Sequence, residues 1–182
     1  RSLKSFLLKK KYNVNSTNRD KESHFFFDLQ DNSNNQLKLP KFDFLIHLAY
    51  FSSSKFKIEK KNNLDSTKRI FLLAKSYKAK IIYVSSHSAD KNSLSNYGKI
   101  KYEIEKIADQ FNAHIIRPGL IYKINDKSGL YGRIENLVMK MPFIFVPTGL
   151  RKSIYLCKID SLFYHIDNIL SNRSNEKKID VY

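Results

Sequence analysis

Apolar positions recur along the chain in two rhythms. Unbroken apolar runs at 42–48 (FDFLIHL), 80–84 (KIIYV) and 114–117 (HIIR) read as strands buried on both faces. Between them, apolar residues return at helical spacing. Within 56–78 they are Leu64, Ile70, Phe71, Leu73 and Ala74, and within 96–112 they are Ile100, Ile104, Ile107, Ala108 and Phe111. Residues 1–11 repeat the helical pattern with Leu3, Phe6 and Leu7, without an evident N-cap ahead of them. Further segments predict strands at 12–17, 24–27, 154–156 and 179–182, helices at 130–141 and 160–170, and a loop or weak helix at 30–41. Strands alternating with helices of ten or more residues predict an α/β chain with a parallel sheet covered on both faces. In such sheets ligands gather at the carboxyl ends of the strands. That directs attention to Leu48-Ala49-Tyr50, Ser85-Ser86-His87 and Pro118-Gly119.

Composition narrows the function classes. At 182 residues with 42% hydrophobic content, the chain can bury one core. No apolar run approaches the ~20 residues of a membrane helix, and no signal peptide is visible. The single Cys157 excludes an internal disulfide, and the five histidines have no metal-type spacing, so no metal is expected. A cytoplasmic protein is the default expectation. The net charge of +16 invites nucleic acid as a partner. Its basic residues are spread along the whole chain, however, and no nucleic-acid-binding motif accompanies them, so a compositional bias is the better reading. The same field also suits an anionic small molecule.

The sharpest chemistry is Tyr97-Gly98-Lys99-Ile100-Lys101 at the start of a helix. Tyr97 and Lys101 are four apart and share a face. A neighbouring ammonium stabilises a phenolate, and a hydroxyl from Ser85 or Ser86, about ten residues upstream, can hold a substrate oxygen beside it. In a chain with 11 tyrosines and this much lysine, Tyr-x-x-x-Lys alone also arises as an exposed helix pair.

The context favours a site. In order come Asp43 to Ala49 (DFLIHLA), Asn63 to Thr67 (NLDST), Ile81 to Ser86 (IIYVSS), Tyr97-x-x-x-Lys101 and Ile115 to Tyr122 (IIRPGLIY). Together these resemble the successive signatures of the NAD-dependent epimerase/dehydratases of the extended short-chain dehydrogenase/reductase superfamily. The resemblance runs from Arg1 to Tyr182, where Ile154-Tyr155-Leu156 and Ile159 to Leu162 are similar to the strand and helix after the substrate-binding loop.

The resemblance implies a Rossmann-type doubly wound sheet, with 1–122 as the NAD(P)-binding part and 123–182 as a short substrate-side segment completing the same domain. It implies Tyr97 as the catalytic acid/base and Ser86 as the hydroxyl that holds the reacting oxygen, Ser85 being structural. Lys101 would bind the nicotinamide ribose and lower the phenol's pKa. Leu48 and Ala49 would lie against the cofactor, Asn63 beside the site, or else facing solvent, and Pro118 near the nicotinamide. Asp28 and Leu29 would contact adenine. Arg19, where NAD-specific members place an acid, tilts the cofactor from NAD toward NADP. His87 could touch substrate, though a plain loop residue is the simpler reading.

The implied reaction is epimerisation, dehydration or reduction of a nucleotide-activated sugar through a 4-keto intermediate, in a protein that pairs as a homodimer. Alternatives are a reductase of another small carbonyl compound, a non-catalytic dinucleotide sensor, and a basic nucleic-acid-binding protein. Two departures accompany the resemblance. No glycine-rich fingerprint precedes Arg1, so the first strand and its phosphate-binding loop are expected to be missing, with weak stability and poor cofactor binding as consequences. Lys123 also stands where the family has glycine after Tyr122.

Overall fold

A computed structural model describes residues 2–17, 25, 27–30, 39–123, 129–141 and 154–182. The elements run α1 (Leu3–Lys9), β1 (Phe44–His47), α2 (Phe56–Ser76), β2 (Lys80–Val84), α3 (Asn96–Gln110), β3 (His114–Pro118), β4 (Leu120–Tyr122), α4 (Gly129–Lys140), β5 (Leu156–Lys158), α5 (Ile159–Leu170) and β6 (Lys178–Val181). Among the described residues, four strands form one sheet in the order β1-β2-β3-β6, and β4 pairs with β5. Every pairing is parallel, for example Leu45 opposite Ile81, Tyr83 opposite Ile115 and Ile116 opposite Ile179.

The two-residue period of the strands divides the core. Ile81, Tyr83 and Ile115 pack with Ile70, Phe71, Ala74, Ile100, Ile104 and Ala108 of α2 and α3. Ile82, Val84, Ile116, Ile179 and Val181 pack instead with Leu7 of α1 and Leu162, Ile166 and Ile169 of α5. Alternate side chains of one strand point to opposite faces, so the unbroken apolar runs follow from burial on both sides. This is the doubly wound α/β sheet that the pattern predicts.

Four helices end in the same way without glycine. Lys11, Lys78, Asn112 and Asn172, each one residue past a helix cap, adopt left-handed backbone with φ between 54° and 66°. In a chain with only five glycines, asparagine and lysine take that position.

Several local expectations change. An N-cap does precede α1: the Ser2 hydroxyl accepts from the Ser5 amide at 3.2 Å. Residues 12–17 are not a strand, because no described strand offers them a ladder. They run along the second core cluster, with Tyr12 and Val14 packed against it and the Tyr12 hydroxyl donating to Asp167 at 2.9 Å. Of 24–27, Phe25 and Phe27 belong to no strand, and the other two lie outside the described residues. Residues 31–38 of the expected loop or weak helix also lie outside them. The strand expected at 154–156 begins two residues later. Leu120 N already donates to Tyr155 O at 2.7 Å, and the β4 register then pairs Leu120 with Leu156.

Among the described residues, no helix is long and apolar enough to cross a membrane. No group of three His, Cys, Asp or Glu side chains among them is arranged to hold a metal ion.

Candidate active site

The carboxyl ends of β1, β2 and β3 bring three predicted segments to one edge. His87 N donates to Pro118 O at 2.8 Å, tying the end of β2 to the end of β3. Helix α3 starts over this edge. Ser95 caps it by accepting from Gly98 N at 3.0 Å, which places Tyr97 in the first turn. Gly98 is needed for this approach, since a Cβ there would collide with the Ser88 carbonyl oxygen and the Ser93 side chain.

Tyr97 remains 39% exposed, with its ring edge-on to Tyr50 at 4.8 Å between centroids. Lys101 lies one turn deeper and is buried. Its ammonium donates to Val84 O at 2.9 Å and stands 4.9 Å from the Tyr83 ring centroid, 5.6 Å from that of Tyr50 and 5.7 Å from that of Tyr97. Three aromatic faces thus surround one cation, an arrangement favoured by their quadrupoles. Burial lowers the Lys101 pKa to about 8, with Glu105 opposing the shift.

Burial also raises the Tyr97 phenol above its usual value, and a hydrogen bond with Ser86 pulls it partly back. The direction is opposite to the expected lowering by Lys101. The physical reason is desolvation, which disfavours the phenolate at Tyr97 and the ammonium at Lys101 alike.

The two serines differ in burial and partners. Ser85 is buried and donates to Glu105 Oε1 at 2.6 Å, whereas Ser86 is half-buried and exchanges a hydrogen bond with Ser88 at 2.9 Å. Leu48 and Ala49 are exposed at the end of β1, and Pro118 is buried at the end of β3. Asn63 does not face solvent. It is buried in α2, accepts from Phe51 N at 2.9 Å and donates to Phe51 O and Glu59 O, both at 2.7 Å. Its amide therefore clamps the loop that carries Tyr50.

Asp28 and Leu29 lie against α2, where Arg69 donates to Asp28 O at 3.0 Å and Leu29 is buried in the core. Arg19 lies outside the described residues.

One participant was not named from the sequence, and the partners of another were not. Glu105 is buried beneath the site and accepts from Arg117 Nε at 2.7 Å, Arg117 Nη2 at 2.6 Å, Lys178 at 2.7 Å and Ser85. Burial pushes its carboxyl up, but these donors hold it below the usual range. Its signal was available, because Tyr97, Lys101 and Glu105 follow at four-residue steps on one helix face. Tyr50 is the other. Its hydroxyl donates to the buried Glu59 at 2.8 Å, and nothing in its neighbourhood in sequence points to Tyr97.

This architecture matches solved structures. An ADP-L-glycero-D-manno-heptose-6-epimerase from Helicobacter pylori superposes on 85% of this chain and 57% of its own, with a TM-score of 0.65 and 16% identity. A UDP-galactose 4-epimerase matches 98% of this chain and 70% of its own, with a TM-score of 0.69 and 13% identity. A dTDP-glucose 4,6-dehydratase from Streptomyces venezuelae, solved with NAD bound, matches 89% and 59%, with a TM-score of 0.67 and 15% identity. The fold is the Rossmann type of these enzymes. At such identities the likeness is one of fold, and this chain spans between 57% and 70% of their lengths. No protein-family profile and no curated protein matches the sequence.

Proposed function

We propose that this chain carries the reacting part of an NAD(P)-dependent enzyme that epimerises, dehydrates or reduces a nucleotide-activated sugar. The observation that carries the reading is the convergence of Tyr97, Ser86 and Lys101 at the carboxyl edge of this sheet. Solved structures that share the fold include sugar-nucleotide epimerases, a dehydratase and dTDP-4-dehydrorhamnose reductases, which supports the same class.

The residues present fit the reacting end of a nicotinamide dinucleotide. Leu48, 49% exposed, and the exposed Ala49 offer an apolar edge for a planar ring beside the phenol. The Lys101 ammonium spends one N–H on Val84 O and has two left for ribose hydroxyls. When bound, the dinucleotide would supply hydride transfer. The NADP preference rests on Arg19 alone.

The protein's part is proton transfer and position. Ser86 hydrogen-bonds the reacting sugar oxygen and orients it toward Tyr97. In the reducing direction, the Tyr97 phenol donates its proton to that carbonyl oxygen. In the oxidising direction, the phenolate accepts the hydroxyl proton, leaving a carbonyl at the sugar carbon. Glu105 and Asn63 position: one joins α3 to β2, β3 and β6, and the other fixes the β1–α2 loop.

NADH and NADPH titration followed by their fluorescence, then turnover of nucleotide sugars, tests the reading. Tyr97→Phe should retain cofactor binding and lose about 10²- to 10⁴-fold in turnover. Because the phosphate-binding loop is not within these 182 residues, the titration is made on the full-length protein, and a folded full-length protein that binds neither cofactor defeats the proposal. Steeply salt-dependent binding of nucleic acid by that protein would favour the basic-protein alternative instead.

A further inference from the structure

Beyond Ser86, on the side of β3 and β6, three rings meet. The His87 ring centroid lies 4.3 Å from that of Tyr155 and 5.3 Å from that of Tyr182, and the two tyrosines are 4.7 Å apart. They come from three places in sequence: the residue after Ser86, the residue before β5 and the residue after β6. The cluster is not a closed core. Tyr155 is 43% exposed, and His87 is exposed as well. Asp180 Oδ1 lies 4.0 Å from His87 Nδ1 with its side chain half exposed, and Arg117 of β3 adds a positive charge near that carboxylate. Strand order places the two ends of the crevice. Tyr50 follows β1 and Tyr97 stands over β2, whereas Tyr182 follows β6 at the far side.

We infer that His87, Tyr155 and Tyr182 form the wall on which the hexose ring of the substrate stacks, with Asp180 and His87 taking its hydroxyls. An exposed aromatic face suits the apolar C–H face of a pyranose, and a carboxylate beside an imidazole suits the hydroxyl rim. The carboxylate also selects against a phosphate at this spot, so the ligand there is a neutral polyhydroxylated ring rather than the diphosphate. A ring seated on His87 lies one residue from Ser86, whose hydroxyl is the one proposed to hold the reacting oxygen. The inference rests on the nucleotide-sugar reading above and adds the residues that recognise the sugar.

Equilibrium binding of UDP-glucose and of UDP to the intact protein, with bound cofactor, separates the two. Tyr155→Leu keeps a side chain of apolar bulk and the backbone bond from Leu120, and thermal melting followed by circular dichroism checks its fold. Tyr155→Leu and Tyr182→Leu should each weaken UDP-glucose by about two- to tenfold and leave UDP unchanged, the range of one aromatic contact. Asp180→Asn should weaken UDP-glucose alone, with the pyranose rather than the nucleotide losing its saturation-transfer signal. UDP-glucose affinity unchanged in both leucine variants, or UDP weakened equally, overturns the wall while leaving the nucleotide-sugar reading intact. A wild-type protein that binds cofactor but neither UDP nor UDP-glucose overturns both.

Discussion

Glu105 receives four hydrogen bonds from three side chains while almost wholly buried. A buried carboxylate is costly unless paired, and removing one partner of such a pair leaves the other charge uncompensated. Glu105→Gln should therefore destabilise the fold by about 3–5 kcal/mol in urea melts near neutral pH. The sign of the pH dependence follows from its lowered pKa. The native state holds the ionised form more tightly than the unfolded chain, so this stabilisation is present above the usual value of 4.5 and is lost as pH falls through the lower native value. The difference between wild type and Glu105→Gln should shrink at acid pH. A difference that stayed constant would mean that the pairing contributes nothing.

Helix α3 shows how an element is placed rather than merely formed. Its propensity for helix comes from Ile100, Ile104, Ile107 and Ala108 at helical spacing, and the capping Ser95 defines its start. Its height over the sheet depends on Gly98. Alanine is the better helix former by roughly 0.8–1 kcal/mol, so propensity alone predicts that Gly98→Ala stabilises. Contact with the Ser88 carbonyl oxygen predicts the reverse, because backbone there cannot give way without moving the loop after Ser86. Gly98→Ala should lower the melting temperature and shift the NMR resonances of Ser86 and Tyr97. A melting temperature raised by the substitution would show that the loop yields freely.

Across the whole molecule, Cys157 reports global opening. Its side chain is fully buried in the second core cluster, and burial pushes the thiol up. Thiolate is the reactive form, so labelling by a disulfide reagent should be slow in the native protein and should track global unfolding across a urea series. Rapid labelling in water would show that β5 and α5 open separately from the main sheet. The +16 charge acts at this scale too, raising the local concentration of any anionic ligand without selecting one.

What the sequence determined by itself was periodicity and local chemistry. Runs such as 80–84 and 114–117 are apolar on both faces and can be satisfied only inside a covered sheet, so the α/β layering was legible from them. The four-residue step from Tyr97 to Lys101 was legible for the same reason, because it lies within one helix. Only tertiary structure decided what depends on partners distant in sequence. Residues 12–17 have strand character but no ladder, the Lys101 ammonium turns to a carbonyl 17 residues away, and Asn63 spends its amide on a loop 12 residues earlier. The Tyr97 phenol rises rather than falls because desolvation is a property of the surroundings, and no spacing within the helix encodes it.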